Sequence, residues 1–479
     1  MLPDDILLCI LGRLDITTAV RTSVLSMRWK HLPRLLREIT IDVKDFLPDP
    51  QPNPIEGEHM EKAMSSLAKA TRSFLATPRS EGAIARLQLE LYLINNYASD
   101  IGPLVSEAID IGALKDLNLA ILDETFIPDC TVDQMLQQAC AVNDLFSAYP
   151  CVFHCLTRLS LYNVCFAEWD IDRHLFDCCQ QLQHLYLSNC DAGGYKAWKI
   201  DAPHSKLRVL QLNFCMLGTL DIVCLPKLER FEWDTWGVYP LAPLSFGVVP
   251  SVKELYLTCA AQENYQRFAL SDALSSTASI HTMKFDFQGE KIWMQPEGKQ
   301  LLPAFKTLKP FVGRVIMRSQ DCHYRLRSLS VHGISFDLNL LWMIFLLEAA
   351  PFLEMFDIEI WEHPCLVNDF IYGFGERTNP SWKVPESCNN SFMKEFQVVG
   401  FKPLEQQMEF IRAVMQRAPN LDTVILKYDD PCEDCEKMGI FPPRSSTECV
   451  FPKTKDEQGI VVKQLMDGVS SHARIIFGD

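Results

Sequence analysis

One pattern occurs twice in this chain, in Leu182-Gln183-His184-Leu185-Tyr186-Leu187-Ser188-Asn189-Cys190 and in Leu207-Arg208-Val209-Leu210-Gln211-Leu212-Asn213-Phe214-Cys215. Each stretch places apolar residues at its first, fourth and sixth positions and a cysteine at its ninth. Apolar residues that alternate with polar ones predict a short strand with one buried face. A strand this short cannot bury that face alone, so the pattern predicts a fold of stacked copies.

The same spacing recurs along much of the chain. Clear copies also begin at Leu156, Val252, Leu326 and Leu353, and degenerate copies occupy Leu114/Leu117/Leu119, Leu228/Phe231/Trp233 and Ile280/Met283/Phe285. Six consecutive middle positions, from 159 to 283, are separated by 21–28 residues. Leucine-rich repeats have periods of about 20–29 residues, so we predict an α/β leucine-rich-repeat solenoid over residues 86–391. The alternative is a conventional α/β domain with short buried strands.

The composition is typical of a folded protein. The 479 residues are 48% hydrophobic and 22% charged, which argues against a disordered or fibrous chain. A net charge of −16 argues against nucleic acid or an anionic membrane as the partner. The longest apolar run, residues 340–347, is much shorter than the roughly 20 residues of a transmembrane helix, and no secretory signal is visible.

The cysteines are predicted to be free thiols. Without a secretory signal, the 18 cysteines indicate a cytoplasmic or nuclear protein and not a disulfide framework. Cys190 and Cys215 occupy the repeat position at which the chain turns inward, so we expect both to be buried and not joined in a disulfide.

The first 44 residues differ from the rest, with a net charge of +2 against −18 for residues 45–479. They predict three short helices. Asp4 and Asp5 favour the start of the first, Asp15 caps the second, and Ser23 caps a third that Pro33 ends. The apolar stripe of these helices is too large for about 40 residues to bury alone, so either the repeats or another protein covers it.

These residues resemble the F-box of plant F-box proteins. The resemblance is carried by Leu2-Pro3-Asp4-Asp5-Ile6-Leu7, Ile10-Leu11, Leu14 and Thr22–Trp29. It implies that residues 1–44 dock on a Skp-type adaptor, which links to a cullin and a RING subunit in a ubiquitin ligase. The implied adaptor-facing residues are Leu2, Pro3, Ile6, Leu7, Ile10, Leu14, Val24, Leu25 and Trp29.

Three further segments complete the predicted organisation. Residues 45–85 hold a proline-rich linker and a capping helix with Met64, Leu67 and Phe74 on its apolar face. Residues 392–430 predict a strand, a helix and a second strand, joined through Ala418-Pro419-Asn420-Leu421. That layout is similar to the FBD region of plant F-box/leucine-rich-repeat proteins, and we expect it to cap the solenoid. Residues 431–479 are predicted to form an acidic loop and a tail.

The sequence contains no constellation typical of an enzyme, so we expect no catalytic site and no cofactor. The best metal candidate is Cys432 and Cys435, with Cys449 and the remote His472 as further ligands. Zinc requires four ligands, and this spacing differs from that of a standard finger. We therefore predict an acidic loop with reduced thiols and no metal.

Two functions remain after these arguments. The first is the substrate-recognition subunit of an SCF-type ubiquitin ligase, in which the F-box docks on the adaptor and the repeats hold a target protein. The second is a repeat-based binding scaffold without a ligase role. The target itself is unknown, and the −18 charge after residue 44 favours a basic or mixed-charge partner.

Overall fold

The computed structural model describes residues 2–22, 25–29, 32–50, 55–76, 83–94, 97–125, 127–167, 173–194, 196–234, 243–259, 269–275, 277, 280–289, 291–295, 301, 306–307, 323–324, 326–336, 338–361, 389–428 and 450–478. The chain divides into two compact units, Met1–Leu217 (unit 1) and Gly218–Asp479 (unit 2). In the described part of the chain, no helix has both the length and the apolar character that crossing a bilayer requires.

Unit 1 alternates helices with parallel strands. Its helices are α1 (Asp4–Leu11), α2 (Ile16–Arg21), α3 (Gly57–Leu75), α4 (Tyr97–Asp110), α5 (Val132–Ala148) and α6 (Cys151–Cys155), with 3-10 helices at Leu32–Leu35 and Val43–Phe46. Its strands are β1 (Glu38–Asp42), β2 (Ile84–Tyr92), β3 (Leu114–Leu122), β4 (Leu156–Tyr162), β5 (His184–Ser188), β6 (Trp198–Asp201) and β7 (Val209–Asn213). One parallel sheet runs in the order β1-β2-β3-β4-β5-β7.

The predicted repeat register is confirmed where the pattern is clearest. Leu185 pairs with Leu159 on β4 and with Leu210 on β7. These three leucines, and the equivalent Leu161, Leu187 and Leu212 two residues further on, are at most 2% exposed. Rows of leucine thus stack from strand to strand and form the core of the unit, as the periodic spacing predicts.

The degenerate copy at Leu114/Leu117/Leu119 was assigned in the wrong register. Leu119 pairs with Leu159, and Ile121 pairs with Leu161, so the true copy lies two residues further along β3. The pairing shifts between Leu117 and Asn118, an irregularity that absorbs the difference. A slip of two residues keeps the same face buried, and the hydrophobic alternation therefore does not distinguish the two registers.

β1 lies outside the predicted solenoid, and β2 belongs to none of the predicted repeat copies. β1 pairs in parallel with β2 over residues 38–42 and 86–90, although residues 1–44 were assigned to the F-box. Ile39 and Ile41 of β1 are buried. The apolar residues predicted for the capping helix, Met64, Leu67 and Phe74, are buried on α3. The F-box helices and the repeats therefore meet within one packed unit.

Unit 2 continues the same architecture. Its strands are β8 (Leu220–Cys224), β9 (Arg230–Asp234), β10 (Leu244–Val248), β11 (Glu254–Thr258), β12 (Thr282–Asp286), β13 (Lys306–Thr307), β14 (His323–Tyr324), β15 (Ser328–Ser335), β16 (Met355–Trp361), β17 (Glu395–Val399), β18 (Thr423–Lys427) and β19 (Arg474–Gly478). Its helices are α7 (Leu270–Ala273), α8 (Ile344–Ala349), α9 (Glu405–Arg417) and α10 (Lys455–Met466), with a 3-10 helix at Leu340–Met343.

The main sheet of unit 2 is parallel, in the order β9-β11-β12-β15-β16-β17-β18-β19. Met283 pairs directly with Leu329, so the long step between these two copies is an insertion and not an unrecognised repeat. The insertion carries the antiparallel pair β13–β14. β8 and β10 pair in parallel outside the main sheet.

The FBD-like segment folds as predicted, into β17, α9 and β18, with Ala418 and Leu421 buried in the connection. The prediction that a tail follows it is wrong for residues 450–478. Thr454 and Glu457 form a reciprocal cap on α10, and β19 pairs with β18. The sequence of β19 lacks the leucine triplet, which is why the period did not reveal this last repeat.

Cys190 and Cys215 occupy the inward position predicted for them. Both are at most 2% exposed and neither is in a disulfide. The thiol of Cys190 donates to the carbonyl oxygen of Leu161, and the thiol of Cys215 donates to that of Leu187 at 3.4 Å. Each thiol thus satisfies a backbone acceptor of the preceding repeat. Burial raises the pKa of the Cys190 thiol well above its usual range, which makes it a poor nucleophile.

Candidate adaptor-binding and target-binding surfaces

Helix α1 has two apolar sides. Leu7 and Leu11, four residues apart, are 4% and 1% exposed and pack into unit 1. Leu2, Ile6 and Ile10, also spaced by four, are exposed on another side of the helix. The sequence stripe is therefore divided: one part anchors the helix to its own chain and the other remains uncovered.

The chain after α2 returns to the start of α1. The side chain of Asp15 accepts a hydrogen bond from the Thr18 backbone at 2.7 Å and caps α2 as predicted. Arg28 then donates to Asp4 through Nε at 2.6 Å and to the carbonyl oxygen of Leu2 at 2.6 Å. This contact ties Arg28 to the start of α1, and the nearby Leu25 and Met27 are 65% and 73% exposed. The sequence signal for this contact is the pair of opposite charges, Asp4 and Arg28, near the two ends of the F-box motif.

The predicted third helix does not form over the described residues. Residues 25–29 form a bend and a turn, and Leu32–Leu35 form a 3-10 helix that contains Pro33. The Leu25 backbone bonds to Thr22, and the Ser26 hydroxyl accepts from the Trp29 backbone at 3.5 Å. Local hydrogen bonds of this kind compete with a helical backbone.

The structure sorts the nine predicted adaptor-facing residues into four groups. Exposed residues are Leu2, Pro3, Ile6, Ile10, Leu14 and Leu25. Trp29 is half-buried, and Val24 lies outside the described residues. Leu7 is buried against its own chain and anchors α1, and its predicted contact with an adaptor stays a prediction.

We define the N-terminal apolar surface as the exposed side chains of Leu2, Ile6, Ile10, Leu14, Leu25 and Met27. Among the described residues, 18 large apolar side chains are exposed, and seven of them, these six and Val20, lie between residues 2 and 27. Exposed apolar residues scattered singly are ordinary, whereas such a concentration marks an interaction surface. Met27 and Val20 are not among the predicted adaptor-facing residues, because the resemblance to the F-box does not imply a partner-facing role for them.

A second candidate surface is the outward face of the unit 2 sheet. His332 on β15 lies 2.7 Å from Asp357 Oδ2 and 3.0 Å from Glu359 Oε2, both on β16. Gln397 on β17 donates to the other oxygen of Asp357 at 3.0 Å. Burial opposes the charged imidazolium, but its hydrogen bonds to the two carboxylates outweigh this and raise the pKa of His332 to about 9. The cluster is thus a charged network on the face that a repeat protein presents to partners.

The predicted metal ligands lie mostly outside the described residues. Cys432, Cys435 and Cys449 lie outside the described residues, and His472 is exposed. Within the described ranges, no group of three or more histidine, cysteine, aspartate or glutamate side chains is placed to hold a metal ion. The absence of a metal at residues 432–449 therefore stays a prediction.

Known proteins resemble this chain in both of its parts. Residues 131–457, more than half of the chain, match the family described as At1g61320/AtMIF1, LRR domain, and residues 1–38 match the F-box domain. A curated F-box/FBD/LRR-repeat protein of Arabidopsis thaliana, At3g49030, is 26% identical over 217 residues. That alignment covers 45% of this chain and 47% of the relative, so the chain spans about half the length of the relative it matches.

Proposed function

Because this chain belongs to the plant F-box/leucine-rich-repeat proteins, we propose that it is the substrate-recognition subunit of an SCF-type ubiquitin ligase. F-box domains generally bind Skp-type adaptors, and proteins of this family are generally non-catalytic. The proposed partners are a Skp-type adaptor, through it a cullin-RING core, and a target protein bound by the repeats. The proposed location is the cytoplasm, the nucleus or both.

One observation carries the proposal: the N-terminal apolar surface is uncovered in the described part of the chain. If the F-box helices only capped the solenoid, their apolar residues would all pack inward as Leu7 and Leu11 do. Instead Leu2, Ile6 and Ile10 face away from that core. Burying large apolar side chains stabilises an interface by about 1.5–3 kcal/mol each, so the surface suits stable docking of an adaptor.

The mechanism requires no catalytic group on this chain. Docking at the N-terminal apolar surface and target binding on the repeats place both proteins on one chain. The target's lysines then reach the ubiquitin-charged enzyme at a high effective concentration, which replaces an encounter in solution by an intramolecular one.

We predict that a charge introduced into the N-terminal apolar surface prevents this chain from binding the adaptor. Leu25→Asp places a carboxylate where the partner excludes water, at a cost of several kcal/mol, so we expect at least a hundredfold weaker binding. Replacing Leu2 and Pro3 together with alanine should also abolish co-purification. The measurement is titration of the purified full chain with a Skp-type adaptor.

Ile111→Asp is the matched control, because Ile111 is an equally exposed apolar residue outside this surface, at 68%. It should bind the adaptor like the wild type. Adaptor binding that survives both N-terminal changes would remove the ligase role and favour the alternative, a binding scaffold without an adaptor.

A further inference from the structure

A polar groove of about 360 Å³ opens on the outward face of the unit 1 sheet. It lies near the starting ends of the strands, and the side chains on its walls come from β1 to β5 and the residues just before them. It is distinct from the N-terminal apolar surface, because none of the six residues that define that surface lines it.

One flank of the groove is positively charged. Asn118, Arg158 and His184 occupy one row across β3, β4 and β5, as paired residues of adjacent strands. Arg158 is exposed and has no hydrogen-bond or ion-pair partner among the described residues. Burial and the nearby guanidinium groups of Arg158 and Arg208 lower the pKa of His184, which shows that the imidazole lies in a positive field.

The amide of Asn118 adds a donor to this flank. Its Oδ1 lies 2.9 Å from the Thr157 hydroxyl, which donates to it, and its Nδ2 has no acceptor among the described residues. Neighbouring strands are about 4.8 Å apart, so the row spans roughly 10 Å across three strands. Long side chains in one such row reach a common point between the strands, and a guanidinium binds a group with two or three oxygen acceptors in two-pronged fashion.

The opposite flank is acidic. Arg86 pairs with Glu38 at 3.7 Å, and Asp116 lies beside them in the groove. Arg158 and Asp116 are therefore the two charges of the groove without an ion-pair partner among the described residues, and they lie on opposite flanks. The chain as a whole has a net charge of −16, so the positive charge confined to the Arg158 flank does not follow from its composition.

We propose that Asn118, Arg158 and His184 bind an anionic side chain, carboxylate or phosphate, from an acidic peptide segment of a partner protein. Charge complementarity with Arg158 selects the anion, and the polar walls accept the peptide backbone around it. This inference rests on the part of the proposed function that makes the repeat sheet a binding surface, and it does not require adaptor docking.

The test measures the binding of three labelled peptides of equal length to the full chain by fluorescence anisotropy, in the absence of any adaptor. One peptide is rich in glutamate, one carries phosphoserine and one is neutral. We expect one or both anionic peptides to bind more tightly than the neutral one. Arg158→Gln should weaken the tighter complex about tenfold, equivalent to about 1.4 kcal/mol.

Two further variants make the result decisive. Arg158→Lys keeps the charge but not the two-pronged geometry, so it should bind more tightly than Arg158→Gln and less tightly than the wild type. Arg474→Gln, at an exposed strand arginine outside the groove, should change nothing. Because Arg158 is exposed, the melting temperatures of the variants should not differ. If the melting temperature of Arg158→Gln falls, His184→Gln is measured in its place. The proposal is overturned if the anionic peptides bind no better than the neutral one, or if Arg158→Gln and Arg474→Gln have equal effects.

Discussion

Asn163 and Asn189 stabilise the turns that follow β4 and β5. Both have left-handed backbone conformations, with φ of 55° and 49°, which asparagine tolerates better than most residues. The Asn189 side chain donates to Asn163 Oδ1 at 2.7 Å, and Asn163 donates to the Thr125 carbonyl at 3.3 Å. A ladder of amides therefore runs from repeat to repeat along the turns.

Phe214 interrupts this ladder after β7. It has the same left-handed backbone, with φ of 50°, and its ring is exposed. Asn189 Oδ1, which would accept from an amide at this position, is buried and has no donor among the described residues. The site thus combines backbone strain with an unsatisfied acceptor, and each of these costs about 1 kcal/mol or more.

We predict that Phe214→Asn stabilises the protein by about 1–2 kcal/mol, because asparagine relieves the strain and extends the ladder. Chemical denaturation of the full chain measures the change in the free energy of unfolding. Phe214→Gly should recover only the part due to strain, and Phe214→Ala should recover neither. Equal stability of the asparagine and alanine variants would contradict this account.

At the scale of elements, the network of His332, Asp357 and Glu359 joins β15 to β16. The hydrogen bonds with His332 lower the pKa of both carboxyl groups, although burial acts in the opposite direction. Lys284 and Asp286 of β12 also face the imidazole. Because each partner of the network stabilises the charged form of the other, removing one leaves buried charges without compensation.

We predict that His332→Gln lowers the free energy of unfolding by about 2–3 kcal/mol at pH 7. The folded pKa of His332, about 9, exceeds its unfolded value of about 6.5, so its stabilising effect is complete below pH 6.5 and disappears as pH rises through 9. The carboxylates stabilise above their unfolded pKa and lose this effect in acid. The difference between variant and wild type should therefore be largest near neutral pH.

Thermal melting from pH 4 to pH 10 tests this prediction. His472→Gln is the matched control, because His472 is exposed and distant from the network in sequence. It should melt like the wild type at every pH. A His332→Gln variant whose deficit is the same at pH 7 and pH 10 would show that the effect comes from packing and not from charge.

At the scale of the whole molecule, the F-box and the repeats are joined by β1. The sequence placed the boundary at the proline-rich stretch around residues 48–54, of which residues 51–54 lie outside the described part. β1 precedes that stretch and yet pairs with β2 along its whole length. Removing everything before residue 60 would therefore expose one edge of β2 and the buried face of α3.

We predict that a chain beginning at residue 38 keeps a stable repeat sheet, whereas one beginning at residue 60 does not. Hydrogen exchange at the β2 amides is the measurement, because Ala85 and Arg86 donate to the Arg37 carbonyl at the start of that pairing. Amides beyond Arg86 should remain protected in the longer chain and exchange rapidly in the shorter one. Equal protection would mean that β1 contributes nothing to the sheet.

The longer chain also serves the test of target binding. It lacks the N-terminal apolar surface, so it should lose the adaptor and retain the target. The overall negative charge predicts that target binding weakens with rising salt. Unit 1 has the basic flank of Arg158 and unit 2 has the carboxylates around His332, so the local charges of each unit differ from the overall negative charge.

The repeat architecture can be predicted from the amino-acid sequence. A period of 21–28 residues with alternating apolar positions favours stacked strands, because one such strand cannot bury its apolar face alone, and the observed pairing of Leu159, Leu185 and Leu210 agrees with it. The burial of Cys190 and Cys215 and the strand–helix–strand layout of residues 392–430 could be predicted in the same way. These features depend on local spacing, which one chain segment carries in full.

Which apolar residues are buried in the core and which remain exposed is visible only in the folded chain. Leu7 and Ile6 are adjacent on one amphipathic helix, and nothing in their spacing shows that one is buried and the other uncovered. The strands β1 and β19 lack the leucine triplet and join the sheet because a neighbouring strand offers them hydrogen bonds. The groove beside Arg158 combines residues from five strands, and such a juxtaposition exists only after the strands have paired, because sequence distance does not measure distance across a sheet.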